Sequence, residues 1–262
     1  MIYLYPVPSE KEEDRFYLED FEGFMSERSG GDKDWSAPDR HFKANRAEVA
    51  RRMKVLGEYV KPGGTLLEIG CSSGFMLDEM KKRGMDVYGI EPSKVYGEYT
   101  RALGIEVFND FEGLVASKKD QFDLIIHYYV LEHIRNPVMF LEDVAKLGKK
   151  GGKMIFEVPS ATEPLIETYN IDAFDKFYWS VVHHWYFTPD SLRRVLSQLN
   201  RPFELLPEQR YDLSNHMTWM HHGKPGGLGK YSEIFGEDLD GIYRERLKEL
   251  WRCDTIIAVI DL

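Results

Sequence analysis

Apolar and polar positions follow two different periods along this chain. Residues 42–60 carry apolar side chains at helical spacing, and the run Pro62-Gly63-Gly64 ends that helix. Short apolar runs then alternate with helical segments. The predicted strands are residues 65–70, 86–90, 105–108, 122–128 and 153–158. The predicted helices are residues 75–83, residues 93–103 with Ser93 as N-cap, and a helix that begins at Asn136-Pro137. This alternation predicts an α/β fold with a parallel sheet and helices on both faces.

The second half of the chain keeps the rhythm and adds inserted segments. It predicts a helix at 188–199, a strand at 203–211, a helix at 233–251 and a closing strand at 255–260. Aromatic-rich insertions interrupt this order at about 159–187 and 212–250. Residues 1–41 are irregular and acidic but rich in aromatic rings, which predicts an arm or lid and not a disordered tail. We therefore expect one domain, residues 42–262, with an N-terminal arm at 1–41.

Charge and cysteine content narrow the functional classes. The net charge is −10 and no block of basic residues occurs, which argues against a nucleic-acid surface and against an anionic membrane as partner. The two cysteines, Cys71 and Cys253, lie far apart without metal-ligand spacing, as is typical of a reducing compartment. No signal-peptide pattern and no long apolar run is present, so the expected location is the cytoplasm.

The first strand leads into a turn of small residues, in the stretch LLEIGCSSGFMLDEM. Gly70 and Gly74 let a ligand approach the backbone, and the next helix offers free N–H groups. The turn lacks the phosphate-loop pattern, and it fails the dinucleotide pattern at Ser72 and Phe75. What remains is Glu-x-Gly-x-x-x-Gly, followed by an acid, Glu91, at the end of the next strand. A carboxylate at that position is able to hold both hydroxyls of a ribose.

These motifs, in this order, resemble the class I S-adenosylmethionine-dependent methyltransferases. The resemblance extends over residues 65–159 and more weakly to Leu199, and it rests on four segments: LLEIGCSSGFML, VYGIEPS, FDLIIHYYVLEHIRNPVMFLEDVAKLGKKGGKMIFEVPS and HHWYFTPDSLRRVL. It implies a Rossmann-like, doubly wound, mostly parallel seven-stranded sheet whose last strand is antiparallel. It also implies S-adenosyl-L-methionine as cofactor and inserted segments that cover the acceptor.

The resemblance assigns cofactor contacts to matching positions. Those that surround the methionine part are Glu68, Gly70, Cys71 and Gly74. Those near the ribose and adenine are Glu91, Pro92 and either Asn109 or Asp110, and those that face the sulfonium methyl are His127 and Tyr128. Simpler interpretations stand beside these: Glu68 as a helix cap, Glu91 as a solvated strand end, and Cys71 as a small turn residue.

Three histidines are candidates for a general base that deprotonates an alcohol acceptor. His133 lies just past the fourth strand, and His183 and His184 precede a helix. The alternatives are a loop-anchoring hydrogen bond for His133 and a half-buried edge strand for the other two. Ubiquinone-biosynthesis O-methyltransferases carry a similar Glu-x-x-Glu-His stretch that is linked to a divalent metal. Tyr129 replaces the first acid here, so the sequence predicts no metal.

The acceptor is the least determined part of the function. The N-terminal arm, the LEHIRNP turn and the HHWYFTP segment resemble small-molecule O-methyltransferases that modify sugars in polysaccharide and natural-product pathways. The expected function is therefore O-methylation of a sugar-like small molecule. The alternatives are N- or C-methylation of a natural-product or quinone-like acceptor, and a cofactor-binding module without catalysis. A homodimer is compatible with the sequence.

Overall fold

The computed structural model describes residues 1–16, 23, 37–117 and 121–262. Its strands are Ile2–Tyr3 (β1), Thr65–Ile69 (β2), Asp86–Ile90 (β3), Glu106–Phe108 (β4), Phe122–Tyr128 (β5), Gly148–Pro159 (β6), Trp185–Tyr186 (β7), Phe203–Glu208 (β8) and Thr255–Asp261 (β9). Its α-helices are Glu10–Arg15 (α1), Pro38–Ala44 (α2), Arg46–Leu56 (α3), Phe75–Lys82 (α4), Lys94–Ala102 (α5), Phe111–Ala116 (α6), Pro137–Ala145 (α7), Pro164–Glu167 (α8), Asp172–Tyr178 (α9), Pro189–Ser197 (α10), Leu213–His222 (α11) and Ser232–Glu249 (α12).

Seven of these strands form one sheet in the order β4-β3-β2-β5-β6-β9-β8. Strand β2 pairs in parallel with β3 and with β5, and β3 pairs in parallel with β4. The chain order therefore reverses on either side of β2, and ligands of doubly wound sheets bind at such a switch point. This arrangement confirms the predicted α/β class and the seven-stranded Rossmann-like sheet.

The last strand, β9, runs antiparallel to β6. Near the start of β6, Gly151 N donates to Leu262 O and Leu262 N donates to Gly152 O. Beyond the other end of β6, Ser160 N donates to Asp254 O. The beginning of one strand thus meets the end of the other, which is the antiparallel pattern. The antiparallel last strand is confirmed.

The chain divides into two compact units. The larger unit comprises Pro8–Val130, Met139–Phe156 and Val259–Leu262, and the smaller comprises Met1–Val7, Leu131–Val138 and Glu157–Ala258. The core of the larger unit includes the fully buried strand residues Leu66, Leu67, Leu124, Ile125 and Ile126. The smaller unit has an aromatic cluster in which Leu165, Phe174 and Trp219 are buried.

The predicted helix over residues 42–60 is in fact two helices, α2 and α3. Asn45 separates them, and its side-chain amide donates to His41 O at 2.8 Å. The backbone N of Asn45 also donates to His41 O, at 3.1 Å, so both donors of Asn45 cap the C-terminal end of α2. Pro38 at the start of α2 fixes the first turn before the periodic pattern begins.

The inserted segments contain more regular structure than their composition predicts. Residues 159–187 include α8, α9 and β7, and the segment after Asp212 begins with α11. Asp212 caps α11 by accepting from Asn215 N at 2.7 Å. These helices are short, so their apolar positions show little periodicity in the sequence.

The first residues of the chain pair with the segment that follows the predicted histidine pair. Ile2 lies opposite Tyr186 and Tyr3 opposite Trp185 in an antiparallel ribbon, and Leu4 N donates to His184 O at 3.1 Å. The rest of the predicted arm, at 17–22 and 24–36, lies outside the described residues. Among the helices that the structure describes, none has the length and apolar character needed to cross a bilayer.

Asp123 joins the starts of two parallel strands. Its Oδ2 accepts from Thr65 N at 2.8 Å, Thr65 Oγ1 at 2.9 Å and Lys149 Nζ at 2.7 Å. Partial burial alone would raise the pKa of Asp123, but Lys149 and the Thr65 donors together lower it below the ordinary value of 3.8. The carboxylate thus stabilises the register of β2 against β5.

Asp123→Asn should lower the free energy of unfolding by about 1 kcal/mol at neutral pH, since a half-exposed charged acceptor becomes neutral. Because the folded-state pKa is depressed, this contribution is complete above pH 3.8 and disappears as the pH falls further. Urea unfolding across this pH range measures it. Asp143→Asn, which removes an exposed partner of Lys146, serves as the control with a smaller effect. A difference between wild type and D123N that persists unchanged in acid would contradict this role.

Candidate active site

The turn after β2 adopts a conformation that only small residues tolerate. Gly70 and Gly74 both have φ of +72°. A Cβ on Gly70 would lie 2.8 Å from Val130 Cγ2, and one on Gly74 would lie 2.5 Å from Thr100 Cγ2. The two glycines therefore satisfy a backbone requirement and a space requirement at once. The turn brings successive backbone N–H groups to the carboxyl edge of the sheet, where α4 begins.

Ser72 occupies the middle of this turn with φ of +49°, a strained value for a residue with a side chain. Both of its backbone groups are held: Ser72 N donates to Glu91 Oε2 at 2.7 Å, and Ser72 O accepts from Thr100 Oγ1 at 2.8 Å. These two bonds from neighbouring segments offset the strain. A serine thus stands where the family usually has a third glycine.

Glu91 follows β3 directly and faces the turn. Its second oxygen, Oε1, accepts from Ser93 N at 2.8 Å. Burial raises the pKa of Glu91, and the amides of Ser93 and Ser72 oppose that rise. Each carboxylate oxygen has a second lone-pair direction beyond the bond it already accepts. Glu91 is therefore able to hold the turn and still accept from the hydroxyls of a ribose.

Glu68 and Arg52 are two buried ionisable residues beneath the turn. Glu68 is 3% exposed, and its Oε2 has no hydrogen-bond partner among the described residues. Burial raises the pKa of Glu68 to about 8, and the charge of Arg52 opposes this rise. Arg52 is 7% exposed, its guanidinium lies 3.6 Å from the ring centroid of Tyr128, and its Nε has no hydrogen-bond partner. Two buried polar groups with unused hydrogen-bonding capacity are unusual and mark a ligand site.

His41 contacts the turn from α2. Its Nδ1 lies 2.9 Å from Ser73 Oγ, and its ring packs edge-on against Tyr96 at 5.4 Å between centroids. His41 is itself buried. The helix that precedes the sheet therefore covers the turn and constrains the orientation of Ser73.

The candidate general bases lie in the smaller unit, two of them in contact. His133 ends the 3₁₀ turn Leu131–His133, and its Nδ1 lies 2.9 Å from Val182 O. The rings of His133 and His183 are perpendicular, with centroids 4.7 Å apart. Burial lowers the pKa of His133 to about 4, the Val182 carbonyl opposes this, and His184 adds to it. His184 is 6% exposed.

The adjacent Glu132 is an unusual buried acid. It is 0% exposed, and neither of its carboxylate oxygens has a hydrogen-bond partner among the described residues. Burial raises the pKa of Glu132 to about 8; its own backbone N–H and the charge of Arg210 oppose the rise, and Glu157 adds to it. Such an acid is either neutral or neutralised by a cation.

Residues 40–202 match the sequence profile of a family described as a methyltransferase domain. The chain belongs to this methyltransferase domain family. Membership, together with the fold, confirms the predicted class I S-adenosylmethionine-dependent methyltransferase and its cofactor. It gives no support to the expected sugar or polysaccharide connection.

Individual relatives share only a modest sequence identity with this chain. A ubiquinone biosynthesis O-methyltransferase of Maricaulis maris is 29% identical over 142 residues, which cover 47% of this chain and 55% of the relative. The chain spans about half the length of the curated relatives it matches. A SAM-dependent methyltransferase from Archaeoglobus fulgidus has a TM-score of 0.59 at 17% identity, over 86% of this chain and 97% of that one. A possible histamine N-methyltransferase from Thermotoga maritima has a TM-score of 0.56 at 18% identity, over 92% and 97%. At these identities the structural likeness shows the fold alone.

Within the methyltransferase domain, the structure brings most predicted cofactor residues to one edge of the sheet. Those grouped around the turn are Glu68, Gly70, Cys71, Gly74, Glu91 and Tyr128. Cys71 is 1% exposed, and burial raises the pKa of its thiol. A Cβ on Gly89 would lie 2.6 Å from Cys71 Sγ, so this thiol fills space between β2 and β3. Its geometry is that of a packed turn residue.

His127 lies in a different environment from Tyr128. It is 0% exposed, stacks on Phe156 with centroids 4.6 Å apart, and meets Phe140 edge-on. Burial lowers the pKa of His127 to about 3. Side chains alternate across a strand, so the two neighbours on β5 point to opposite faces of the sheet. This placement favours Tyr128, and not His127, as the position that faces the cofactor.

The candidate adenine contacts at the end of β4 are occupied with local bonds. Asn109 Oδ1 accepts from Arg101 Nη2 at 2.6 Å, and Asp110 Oδ1 accepts from Gly113 N at 2.6 Å as the N-cap of α6. Pro92 is exposed. Asn109 and Asp110 therefore both remain predictions as contacts of the adenine.

The sequence did not single out Arg52 or His41. The sequence does contain an indication for Arg52, because this charged residue falls on the apolar stripe of α3 with Val49, Met53 and Leu56. A charged residue on a buried stripe points to a ligand or an ion pair. His41 has no such signal, because its contact with Ser73 depends on how α2 folds back.

Glu91→Gln should weaken the binding of S-adenosylhomocysteine by about 10- to 100-fold, because a charged acceptor becomes a neutral amide. Isothermal titration calorimetry measures the affinity. Glu98→Gln is the matched control, since this carboxylate is exposed on α5 and outside the turn. Equal affinities for wild type and E91Q would rule out the ribose role.

Gly74→Ala should destabilise the domain by about 2–4 kcal/mol, because it combines a left-handed backbone with a steric clash against Thr100. Gly63→Ala is the control: it has φ of +79° but no atom within 4 Å of its Cβ, so a loss of about 1 kcal/mol is expected. Adding Thr100→Ser, which removes the methyl and keeps the hydroxyl, should recover part of the difference. Urea unfolding measures all three. Equal losses for G74A and G63A would show that the close approach is unimportant.

Proposed function

We propose that this chain transfers a methyl group from S-adenosylmethionine to a hydroxyl oxygen of a small, quinone-like or phenolic acceptor. The observation that carries the proposal is the turn from Gly70 to Gly74, whose central amide is held by Glu91. A rigid left-handed turn at the switch point, with an acid at the end of the next strand, suits a nucleoside whose ribose lies against the acid.

The residues present fit the cofactor. Glu91 would accept from the ribose hydroxyls. The amino-acid part carries one positive and one negative group. Glu68 would accept from the ammonium group and Arg52 would donate to the carboxylate, and each has an unused hydrogen-bonding atom. Tyr128 covers the guanidinium of Arg52 and so limits the directions in which it can reach.

Methyl transfer requires the protein mainly to position the methyl donor and the acceptor. The bound cofactor supplies an electrophilic methyl group, and the transfer is an in-line displacement. Holding donor and acceptor in line is worth roughly 7–11 kcal/mol of the barrier. The acceptor hydroxyl must also lose its proton. His133, His183 and His184 remain predictions for that role.

The names of the relatives support this choice of acceptor class. The Maricaulis maris protein and several other bacterial relatives are named ubiquinone biosynthesis O-methyltransferases. This favours the quinone-like alternative over the sugar that the sequence first led us to expect. A phenolic hydroxyl has a pKa near 10, far below that of an alcohol, so it needs less assistance to become a nucleophile.

Two measurements, made one after the other, test the proposed function. S-adenosylhomocysteine at about 100 times its dissociation constant should stabilise the wild type by about 2.7 kcal/mol, seen as a rise in melting temperature, and Glu91→Gln should show a smaller rise at the same concentration. A labelled methyl donor should then label alkyl-substituted catechols, and not hexoses, nucleotide sugars or primary amines.

Each contrary outcome has a distinct meaning. No thermal shift at millimolar S-adenosylhomocysteine would contradict cofactor binding and the proposed function with it. A shift without label on any acceptor would favour a cofactor-binding module without catalysis. A shift with label only on sugars or only on amines would replace the quinone-like acceptor by that class.

A further inference from the structure

Side chains from three different parts of the chain hold the turn after β2. Glu91, just after β3, accepts from Ser72 N, and Thr100 of α5 donates to Ser72 O. The third side chain is His41 of α2, whose Nδ1 lies 2.9 Å from Ser73 Oγ. Glu91 and Thr100 belong to the strand–helix unit that follows the turn, whereas His41 precedes the seven-stranded sheet in the chain. Through His41, the helix before the sheet therefore acts on the turn.

The contact between His41 and Ser73 lies inside the protein. Ser73 is 0% exposed and His41 is 7% exposed. The imidazole packs edge-on against Tyr96 at 5.4 Å and at a tilt against Phe75 at 6.1 Å between centroids. Tyr96 lies in the first turn of α5, and Phe75 is the first residue of α4. A buried hydroxyl that loses its partner keeps the full cost of desolvation, so this hydrogen bond matters more than an exposed one.

Ser73 lies where its orientation decides the direction of the amides of the turn. It stands between two left-handed residues, Ser72 with φ of +49° and Gly74 with φ of +72°. The peptide groups on both sides of Ser73 rotate with its backbone, and α4 begins two residues later. A left-handed conformation persists only where neighbouring groups hold it. Fixing the Ser73 side chain therefore helps to hold the N–H groups at the start of α4, which are available to a ligand.

His41 is also held at its backbone. Its carbonyl oxygen accepts from Asn45 N at 3.1 Å and from Asn45 Nδ2 at 2.8 Å, at the C-terminal end of α2. The main chain of His41 is thus fixed by the end of the helix, and its ring is fixed between Tyr96 and Phe75. A residue held at both ends transmits a displacement of α2 to Ser73 instead of absorbing it.

We propose that His41 is a positioning residue for S-adenosylmethionine. It acts through the Ser73 hydroxyl and so preserves the turn conformation that receives the amino-acid part of the cofactor. A direct contact between His41 and the cofactor is not required. The inference rests on the cofactor binding that the proposed function shares with the family, and it is independent of the acceptor.

The test measures the affinity of the full chain for S-adenosylhomocysteine by isothermal titration calorimetry. His41→Phe keeps an aromatic ring between Tyr96 and Phe75 but has no atom that can bond to Ser73. It should weaken binding by about tenfold, and Ser73→Ala should do the same. His41→Asn places an amide atom close to the position of Nδ1, so it should restore binding to within about threefold of wild type. A role in packing alone would give the opposite order, because asparagine leaves the space of the ring unfilled.

The double variant H41F/S73A distinguishes one shared bond from two independent effects. If both side chains act through one bond, the double variant should bind about as weakly as either single variant. His222→Phe and Ser197→Ala are the matched controls, since both side chains are exposed and lie outside the turn, and they should bind as wild type does. Urea unfolding without ligand checks that every variant is folded. If H41F does not fold, S73A and H41N still decide the outcome.

Three results would overturn the positioning role. They are wild-type affinity in both H41F and S73A, an affinity of H41N as low as that of S73A, and losses that multiply in the double variant. Wild-type protein that binds no S-adenosylhomocysteine would instead contradict the proposed function, and this inference with it.

Discussion

The turn after β2 depends on the carboxylate of Glu91, assisted by the hydroxyl of Thr100. Glu91 accepts hydrogen bonds from the amides of Ser72 and Ser93, and so joins the end of β3 to the turn after β2. The turn contains left-handed residues at Gly70, Ser72 and Gly74. Such a conformation persists only where the surroundings determine it. The acid therefore has a conformational role that is independent of any contact with a ligand, because it holds the amides of Ser72 and Ser93 in place.

Both units contain buried acids, and for each acid it matters whether its carboxylate oxygens have hydrogen-bond partners. Glu68, Glu132 and Glu163 are almost fully buried, and burial raises the pKa of each to about 8. Glu163 differs from the other two, since its carboxylate accepts from Leu165 N and lies 3.8 Å from His216 Nε2. An acid with such partners is a satisfied structural group. Glu68 and Glu132 keep unused oxygens, and for that reason they are the ones that point to ligands.

The sequence predicts the sheet well because its strands are short apolar runs between helices of regular period. The predicted boundaries of helices and strands are wrong where a local bond or a glycine intervenes. Asn45 divides a predicted helix into two. Strand β6 begins at Gly148, earlier than predicted, because Gly151 and Gly152 pair within the sheet instead of ending a loop. The cofactor turn is predictable because its spacing is contained in one short segment.

The remaining site residues depend on contacts that spacing does not encode. Arg52 is visible in the sequence only as a charge on an apolar stripe. The meeting of His133 with His183 joins segments that the chain separates by fifty residues, and no periodicity relates them. For His127 the sequence order misleads in the opposite way. His127 is next to Tyr128 in the chain, but strand alternation directs its ring into an aromatic core.

The ribbon of β1 and β7 has a consequence for the order in which this protein assembles. Its two strands are 182 residues apart, as counted from Tyr3 to Trp185. At a synthesis rate of about 5–20 residues per second, the first strand emerges from the ribosome roughly 10–40 s before its partner exists. Closing so long a loop is entropically slow, so this edge forms late, after the local strand–helix units.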